Sequence, residues 1–365
     1  MTVRAALPER MRAVLLTGNG GFNTLEVRDD VPVPRPGPGD VLIRVAAAGV
    51  NNTDINTRTA WYSKGVKAAT ADGGADGFAE AQTADSGWTG AEPHFPRIQG
   101  ADACGRIVAV GDGVDPGRIG ARVIVEPVFR AADAPLSSAI YFGSECDGAF
   151  AEYAVAPSAH AHAVQCALSD VALASIPCAA SAAENMLARA HVAAGEAVLV
   201  TGASGGVGGM AVQLAKARGA RVIAVSGADK ADDVRAMGAD EVLDRAGDLG
   251  DLLGDETVDV VIDVVGGDGF GDLLKVLKRG GRYAVAGAIA GPIVSLDLRT
   301  LYLKDLTLLG CTVIEPSVFP AIVRAIESGA LHPLIAATYP LAEIVTAQQA
   351  FLAKRHVGKI VLMCQ

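Results

Sequence analysis

The sequence has no uninterrupted apolar run long enough to span a membrane. Its first residues, MTVRAALPERMRAVLL, lack the long apolar core and small-residue cleavage site of a signal peptide. Basic residues are outnumbered, with 31 Lys and Arg against 41 Asp and Glu, so neither nucleic acid nor a membrane is an expected partner. The 365 residues, half of them hydrophobic, predict a compact protein of one or two domains.

Closely spaced cysteine pairs are also missing. The six cysteines lie far apart in the sequence, and none belongs to a C-x-x-C motif. This usage is typical of reduced thiols and not of a disulfide framework. We therefore expect the protein to be cytoplasmic.

The clearest motif present is a strand, a glycine-rich turn, a helix and a second strand within 197–227, AVLVTGASGGVGGMAVQLAKARGARVIAVSG. Such a turn lets a pyrophosphate approach the backbone at a helix N-terminus, where the helix dipole favours negative charge. The strand–turn–helix context strengthens the motif, although Ala203 replaces its first glycine. An ordinary tight turn that binds nothing is the alternative. The predicted dinucleotide contacts are Ala203, Ser204, Gly205, Gly206 and Val207.

The end of the second strand lacks the acidic residue that usually binds the ribose of NAD. Ser226 and Gly227 stand there, and Lys230 follows closely. The absence of a carboxylate that would repel a 2′-phosphate favours NADPH, with Ser226 and Lys230 as contacts. The alternative is that Lys230 is only a solvated residue of the next helix.

The pattern along the chain divides it in two. Up to about Pro157 the sequence reads as short strands with many glycine turns, which is typical of a partly closed barrel. Strands then alternate with helices, which predicts parallel βαβ units. Within the first part, Ser63–Pro93 has no clear period and predicts a mobile surface loop near the cleft or a mere insertion. The aromatic residues Trp61, Tyr62, Trp88 and Phe95 either line an aromatic pocket or anchor this loop.

Several motifs occur in the order found in the medium-chain dehydrogenase/reductase superfamily, which this chain resembles over nearly its whole length. They are GVNNTD, GADACGRIVAVG, CDGAFAEY, the glycine turn and VGKIVL. The resemblance implies an α/β fold with a GroES-like partly closed β-barrel catalytic domain and a Rossmann doubly wound parallel sheet. The expected domains are 1–157 with 317–365 for the barrel, and 158–316 for the nucleotide-binding part.

The resemblance points to a branch without zinc. At the three positions that hold catalytic zinc in related alcohol dehydrogenases, this sequence has Asn51, Ala101 and Cys178. Catalytic zinc needs three protein ligands and one open position, so we expect no metal. An unfamiliar site from Cys178, His94 or Glu145 is the alternative. The sequence is most similar to the zinc-independent quinone oxidoreductases, with enoyl reductases as near neighbours.

Three catalytic residues are predicted. Asn51 and Tyr62 are carried over from the resemblance, and Asp54 lies near them in the sequence. Asn51, Arg58 and Tyr62 match residues of the quinone oxidoreductase pattern, although Asn56 and Trp61 depart from it. Asn51 and Tyr62 are expected to bind the oxyanion that develops during hydride transfer, and Tyr62 to supply a proton. Asp54 either takes part in this site or caps a helix.

The resemblance therefore implies an NADPH-dependent reductase of a quinone or an α,β-unsaturated carbonyl. The alternatives are an alcohol dehydrogenase of the same superfamily and a protein that binds NADPH without turnover. Further cofactor contacts carried over by resemblance are Val265, Gly266, Ala288, Ile289, Arg355 and Lys359. A solvated basic face is the alternative for the last two. The apolar strand 305–312 predicts a homodimer through the edge of the Rossmann sheet.

Overall fold

The computed structural model of the protein describes residues 7–131 and 133–365. In this part of the chain no helix combines the length and apolarity needed to cross a membrane. The N-terminal part consists mainly of short strands. They are β1 Arg10–Leu16, β2 Leu25–Pro32, β3 Asp40–Gly49, β4 Arg97–Ile98, β5 Cys104–Val110, β6 Arg122–Val125, β7 Val128–Phe129, β8 Ile140–Tyr141, β9 Tyr153–Pro157 and β10 Ala161–Ala163.

The largest sheet of this part also contains two strands from the end of the chain, β17 Ile335–Pro340 and β18 Lys359–Met363. Its order is β10-β6-β5-β3-β18-β17, with β9 also paired to β3. Because β18 runs antiparallel to β3, with Val361 opposite Gly49, the start of β18 lies beside the end of β3. The domain boundaries at 157/158 and 316/317 stay a prediction.

The second sheet has six parallel strands in the order β13-β12-β11-β14-β15-β16. Its strands are β11 Ala197–Val200, β12 Arg221–Ser226, β13 Glu241–Asp244, β14 Val258–Asp263, β15 Leu277–Val285 and β16 Thr307–Gly310. This is the 3-2-1-4-5-6 order of a dinucleotide-binding sheet, so the prediction of a Rossmann sheet is confirmed. Ligands of such sheets bind where the order reverses, beyond the carboxyl ends of β11 and β14.

Ten α-helices are described. They are α1 Asn52–Thr59, α2 Asp170–Leu173, α3 Pro177–Arg189, α4 Gly206–Ala217, α5 Ala231–Ala236, α6 Leu249–Leu253, α7 Phe270–Val276, α8 Leu298–Leu303, α9 Val318–Glu327 and α10 Ile344–Leu352. Proline at the first position of α3 suits a helix start, because its missing N–H would have no partner there.

Helix α3 connects the two sheets. Its small buried residues Ala179, Ala180 and Ala183 belong to one apolar cluster that reaches from Ala101 near β5 to Val198 in β11. Small side chains allow close packing of α3 against α4. The barrel and the nucleotide-binding sheet are therefore fixed against each other along one side of the cleft between them.

The segment after α1 is largely irregular. Residues 63–93 contain no regular element longer than the 3₁₀ turn Thr83–Asp85. Backbone and side-chain hydrogen bonds nevertheless tie this segment to the rest of the chain, and its mobility stays a prediction.

Candidate active site and cofactor cleft

Asp102 is the centre of a buried polar cluster. Its Oδ2 accepts hydrogen bonds from Asn51 Nδ2 at 2.8 Å and from Lys359 Nζ at 3.0 Å, and its Oδ1 accepts one from the Cys178 backbone N–H at 2.6 Å. These residues come from the end of β3, the loop before β5, the start of α3 and the start of β18. A side chain at Gly49 would collide with the Asp102 carboxylate, which explains the glycine there.

Lys359 and Asp102 form a fully buried ion pair, with side chains 3% and 0% exposed. The ammonium also donates to Asn51 Oδ1. Two buried charges are tolerated only when they pair and hydrogen-bond well, and this cluster meets both conditions. A contact between Lys359 and a cofactor phosphate stays a prediction, since the ammonium here is bonded to Asn51 and Asp102.

Asn51 connects the members of this cluster. Its side-chain nitrogen donates to Asp102 and, at 3.2 Å, to the Gly49 carbonyl oxygen, while its oxygen accepts from Lys359. Both N–H groups of the amide are therefore used within the protein. In this conformation Asn51 orients Lys359 and Asp102 and offers no free donor to a substrate oxygen, so the predicted direct contact with an oxyanion is not what this geometry favours.

Asp54 caps helix α1. Its Oδ2 accepts a hydrogen bond of 2.8 Å from the Asn51 backbone N–H, as the capping-box arrangement requires. Burial raises the pKa of Asp54 to about 7, and nearby Asp102 adds to this shift. The backbone N–H of Asn51 and the Lys359 ammonium act in the opposite direction. The capping alternative for Asp54 agrees with these contacts.

Tyr62, Tyr141 and Cys178 form the less polar side of the site. The Tyr62 hydroxyl donates to Thr53 Oγ1 at 3.1 Å, and the Tyr141 hydroxyl lies 3.1 Å from Cys178 Sγ. Burial raises the pKa of Tyr62 to about 12 and that of Cys178 to about 12. Because all these groups keep their protons at neutral pH, Tyr62 is a neutral hydrogen-bond donor there, and in this conformation it donates to Thr53.

The residues at the three zinc-ligand positions do not fit a catalytic zinc. Ala101 has no donor atom, the Asn51 amide is bonded to Asp102 and Lys359, and the Cys178 thiol keeps its proton because its pKa is raised. A thiol binds zinc as the thiolate, and catalytic zinc needs three protein ligands in all, from cysteine, histidine or carboxylate side chains. The Lys359 ammonium already supplies a positive charge within hydrogen-bond distance of Asn51 and Asp102.

The alternative metal site from Cys178, His94 and Glu145 has no support either. One oxygen of Glu145 accepts from the Thr89 backbone N–H at 3.1 Å, and the other accepts from the Tyr141 backbone N–H at 3.2 Å. Within residues 7–131 and 133–365, no group of three or more His, Cys, Asp or Glu side chains could hold a metal ion.

The glycine turn fits a dinucleotide pyrophosphate. Helix α4 begins at Gly206, and its N-cap Gly205 has no side chain to satisfy the first N–H groups of the helix. Gly202 takes a φ of +59°, and a side chain at Gly208 would collide with the Gly202 carbonyl oxygen. Ala203, which replaces the first glycine of the motif, is fully buried under the turn. Exposed N–H groups at a helix start are the arrangement that binds phosphate.

The turn also contacts the end of the chain. The Gly358 N–H donates to the Ser204 carbonyl oxygen at 3.0 Å, and a side chain at Gly206 would lie 2.7 Å from Cδ of Lys359. Val207 follows at the second position of α4. Lys359 thus lies between the glycine turn and the polar cluster of Asp102.

The strand ends beyond β12 and β13 carry basic residues. Ser226 is buried at the end of β12, and its carbonyl oxygen accepts from the Arg245 N–H at 2.8 Å. The Lys230 ammonium donates to the carbonyl oxygens of Lys354 and His356 at 2.6 and 3.0 Å. Lys230 is therefore not simply solvated; it holds the loop that leads to β18.

Lys354 adds a further cation to this region. Its ammonium donates to Asn52 Oδ1 at 3.1 Å and lies 3.7 Å from the centre of the Phe351 ring. Burial, together with the charges of Lys230 and Lys359, lowers the pKa of Lys354 to about 8. Arg355, next in the chain, is exposed, and its predicted phosphate contact stays a prediction.

The loops after β14 and β15 lie against each other. The Ala290 N–H donates to the Val265 carbonyl oxygen at 2.9 Å, and Gly266, at a φ of +62°, leaves room for Ala288. The buried Asp263 accepts from the Val265 N–H at 2.8 Å and so fixes the start of the first loop. Ile289 follows in the second loop. The cofactor contacts predicted in these two loops therefore share one edge of the sheet.

Four contributors to this region were missed by the sequence analysis: Asp102 as the centre, Tyr141, Arg245 and Lys354. Arg245 was missed because the strand that it follows, β13 Glu241–Asp244, was not predicted. The other three are brought in by long-range packing, for which the sequence has no local signal.

Comparison with known proteins agrees with this arrangement. Residues 37–166 match the alcohol dehydrogenase GroES-like domain, and residues 206–328 match the zinc-binding dehydrogenase family. The first match confirms the predicted GroES-like barrel. The second family is named for zinc, whereas Asn51, Ala101 and Cys178 of this chain do not fit that metal.

Two curated relatives align over nearly the full length. Acryloyl-coenzyme A reductase of Metallosphaera sedula is 29% identical, with 96% of this chain and 99% of that protein covered. Quinone oxidoreductase of Lama guanicoe is 30% identical, with 97% of each covered. Both are oxidoreductases by name.

Solved structures give the same result. A putative alcohol dehydrogenase from Sinorhizobium meliloti has a TM-score of 0.88 and 46% identity, with 98% of this chain and 97% of that chain covered. A 2-octenoyl-CoA carboxylase reductase in complex with NADP and 2-octenoyl-CoA has a TM-score of 0.80 and 26% identity, with 99% and 89% covered. The chain is an oxidoreductase of the medium-chain dehydrogenase/reductase superfamily, with a site for a nicotinamide cofactor.

Proposed function

We propose that this chain is a cytoplasmic, zinc-free, NADPH-dependent reductase of a quinone or an α,β-unsaturated carbonyl. The observation that carries the proposal is the polar cluster, in which Lys359, Asn51 and Asp102 bond to one another where related dehydrogenases hold catalytic zinc. The cytoplasmic location is inferred from six cysteines without a disulfide.

When bound, the reduced nicotinamide supplies a hydride. The residues of this chain then have to hold the acceptor and stabilise negative charge on its oxygen. Tyr62 is suited to this as a neutral donor, because burial keeps it protonated and its hydroxyl can turn from Thr53 to the acceptor oxygen. The cluster around Asp102 is suited to fixing the end of β3, α3 and β18 around the acceptor, so that hydride transfer is assisted by orientation.

The acceptor class follows from the absence of zinc ligands. Without a Lewis acid, oxidation of an alcohol or reduction of an isolated carbonyl has no strong electrophile to stabilise the oxygen charge. A quinone or a conjugated carbonyl delocalises the incoming electron pair itself and needs only hydrogen-bond donors. The names of the two relatives, a quinone oxidoreductase and an acryloyl-coenzyme A reductase, support both classes of acceptor.

The substrate class is tested by following NADPH oxidation with a panel of quinones and α,β-unsaturated carbonyls, and NADP⁺ reduction with a panel of alcohols. Turnover with the first panel alone is the expected result. Turnover with alcohols would instead favour an alcohol dehydrogenase. NADPH binding without turnover on either panel would favour a non-catalytic binding protein.

The preference for NADPH is inferred from the basic strand ends and is testable at Arg245. The Arg245 guanidinium lies near Gly227, and the Asp229 carboxylate lies nearer still to the same position. We propose that Arg245, and not Asp229, faces the ribose 2′-position. Replacing Arg245 by alanine is expected to weaken NADPH binding about tenfold, the size of one charge-assisted hydrogen bond at an exposed site, and to leave NADH binding unchanged. Titration with each cofactor measures this; an equal loss for both would contradict a contact with the 2′-phosphate.

We also propose that the chain forms a homodimer through the edge strand β16. The segment before this strand exposes four large apolar side chains: Ile293, Leu298, Tyr302 and Leu303 are 56% to 66% exposed. An apolar surface beside an unpaired sheet edge is a common interface. Light scattering after size-exclusion chromatography should give twice the 37.1 kDa chain mass, and Leu303→Asp should give a monomer. A wild-type monomer would refute the proposal.

A further inference from the structure

The insertion 63–93 reaches the loop that is expected to flank the nicotinamide. The Thr70 backbone N–H donates to the Ile289 carbonyl oxygen at 3.1 Å. The Thr70 side chain is 2% exposed, and its hydroxyl has no hydrogen-bond partner. The first part of the insertion thus contacts the nucleotide-binding side of the cleft.

Its other end reaches the barrel side of the site. The Trp88 ring packs on the Tyr141 ring with 4.8 Å between centroids, and the Tyr141 hydroxyl contacts Cys178. The next residue, Thr89, donates its backbone N–H to Glu145, whose second carboxylate oxygen accepts from the Tyr141 N–H. Glu145 therefore fixes Trp88 and Tyr141 relative to each other.

Near its start the insertion is hydrogen-bonded to two residues that precede Tyr62 in the sequence, Trp61 and Arg58. Trp61, which packs edge-on against Tyr62 at 5.9 Å, donates its indole N–H to the Ala68 carbonyl oxygen at 3.0 Å. The fully buried Arg58 guanidinium donates to the Gly74 carbonyl oxygen at 2.6 Å and to that of Gly20 at 2.9 Å. The insertion consequently touches Tyr141 and the nicotinamide loop, and it holds Trp61, which packs against Tyr62.

We propose that the insertion forms the outer wall of the acceptor pocket and that Trp88 sets the size of acceptor admitted. This inference rests on the proposed function, because it names the residue that selects among quinone and enone substrates. Trp88 remains partly exposed although it packs on Tyr141, so part of its ring is available to a ligand. A flat indole beside a tyrosine favours planar apolar acceptors and limits their width.

The first test compares benzoquinone, naphthoquinone and phenanthrenequinone as acceptors of increasing width. Trp88→Ala is expected to raise kcat/KM for phenanthrenequinone relative to that for benzoquinone about tenfold, the usual effect of reshaping an apolar pocket. Trp88→Phe, which keeps a ring on Tyr141, should change this ratio much less. The exposed Glu92, on the same segment, provides a matched control as Glu92→Gln, which should leave the ratio at the wild-type value.

The second test needs no turnover. Trp61 and Trp88 are the only tryptophans of the chain, so Trp61→Phe leaves Trp88 as the single indole fluorophore. With NADP⁺ bound, naphthoquinone is expected to quench this fluorescence saturably, and excess phenanthrenequinone to compete. Linear, purely collisional quenching would overturn the inference, as would an unchanged width ratio in folded Trp88→Ala. Saturable quenching without NADPH oxidation by any acceptor would keep this inference and refute the proposed reductase.

Discussion

Lys359→Met is expected to lower the free energy of unfolding by about 3–5 kcal/mol, the usual cost of breaking a buried ion pair from one side. The substitution keeps the length and packing of the side chain but leaves the fully buried Asp102 carboxylate without its cation. The Asn51 oxygen loses a donor at the same time. Urea unfolding followed by circular dichroism measures the change, provided that the transition is a single cooperative step.

Lys278 offers a matched control for this experiment. It pairs with Asp259 at 2.9 Å, but their side chains are 43% and 25% exposed. Because solvent screens such a pair, Lys278→Met should cost no more than about 1 kcal/mol. Equal effects of Lys359→Met and Lys278→Met would mean that the Asp102 cluster is not the tightly paired centre described above.

Gly208→Ala is expected to weaken NADPH binding about a hundredfold. A methyl group there would collide with the Gly202 carbonyl oxygen and so would displace the turn from the start of α4. Losing two N–H···phosphate hydrogen bonds of about 1.5 kcal/mol each accounts for a change of this size. Fluorescence titration or calorimetry with NADPH gives the dissociation constant.

The control for the glycine turn is Gly271→Ala in α7. A methyl group at Gly271 would have no atom within 4 Å, and alanine suits a helix better than glycine. Cofactor affinity should therefore stay at the wild-type value. If Gly208→Ala also binds NADPH as tightly as the wild type, the glycine turn is not the pyrophosphate site.

The features that could be predicted from the sequence are those whose residues lie close together in the chain. The turn at 202–208 and its flanking strand and helix lie within a short segment, where glycine spacing and apolar periodicity act together. The parallel sheet follows from the alternation of such units. The capping role of Asp54 was also available from the sequence, because it is three residues from Asn51.

The parts that the sequence could not predict depend on distant residues. Asn51, Asp102, Cys178 and Lys359 meet only because β3, the loop before β5, α3 and β18 converge. The low complexity of the insertion gave no sign that Trp88 would pack on Tyr141. The motifs identified Asn51 and Lys359 as site residues. Their contacts, which only the structure gives, show that Asn51 orients its neighbours and that Lys359 forms an ion pair.

The most direct test of the central claim is NADPH oxidation by naphthoquinone before and after exhaustive dialysis against a metal chelator, with zinc content measured on the same samples. We predict turnover that is unchanged by the chelator in protein with substoichiometric zinc. Loss of turnover on chelation and its recovery with stoichiometric zinc would contradict the account, because the activity would then depend on a metal that Asn51, Ala101 and Cys178 do not fit.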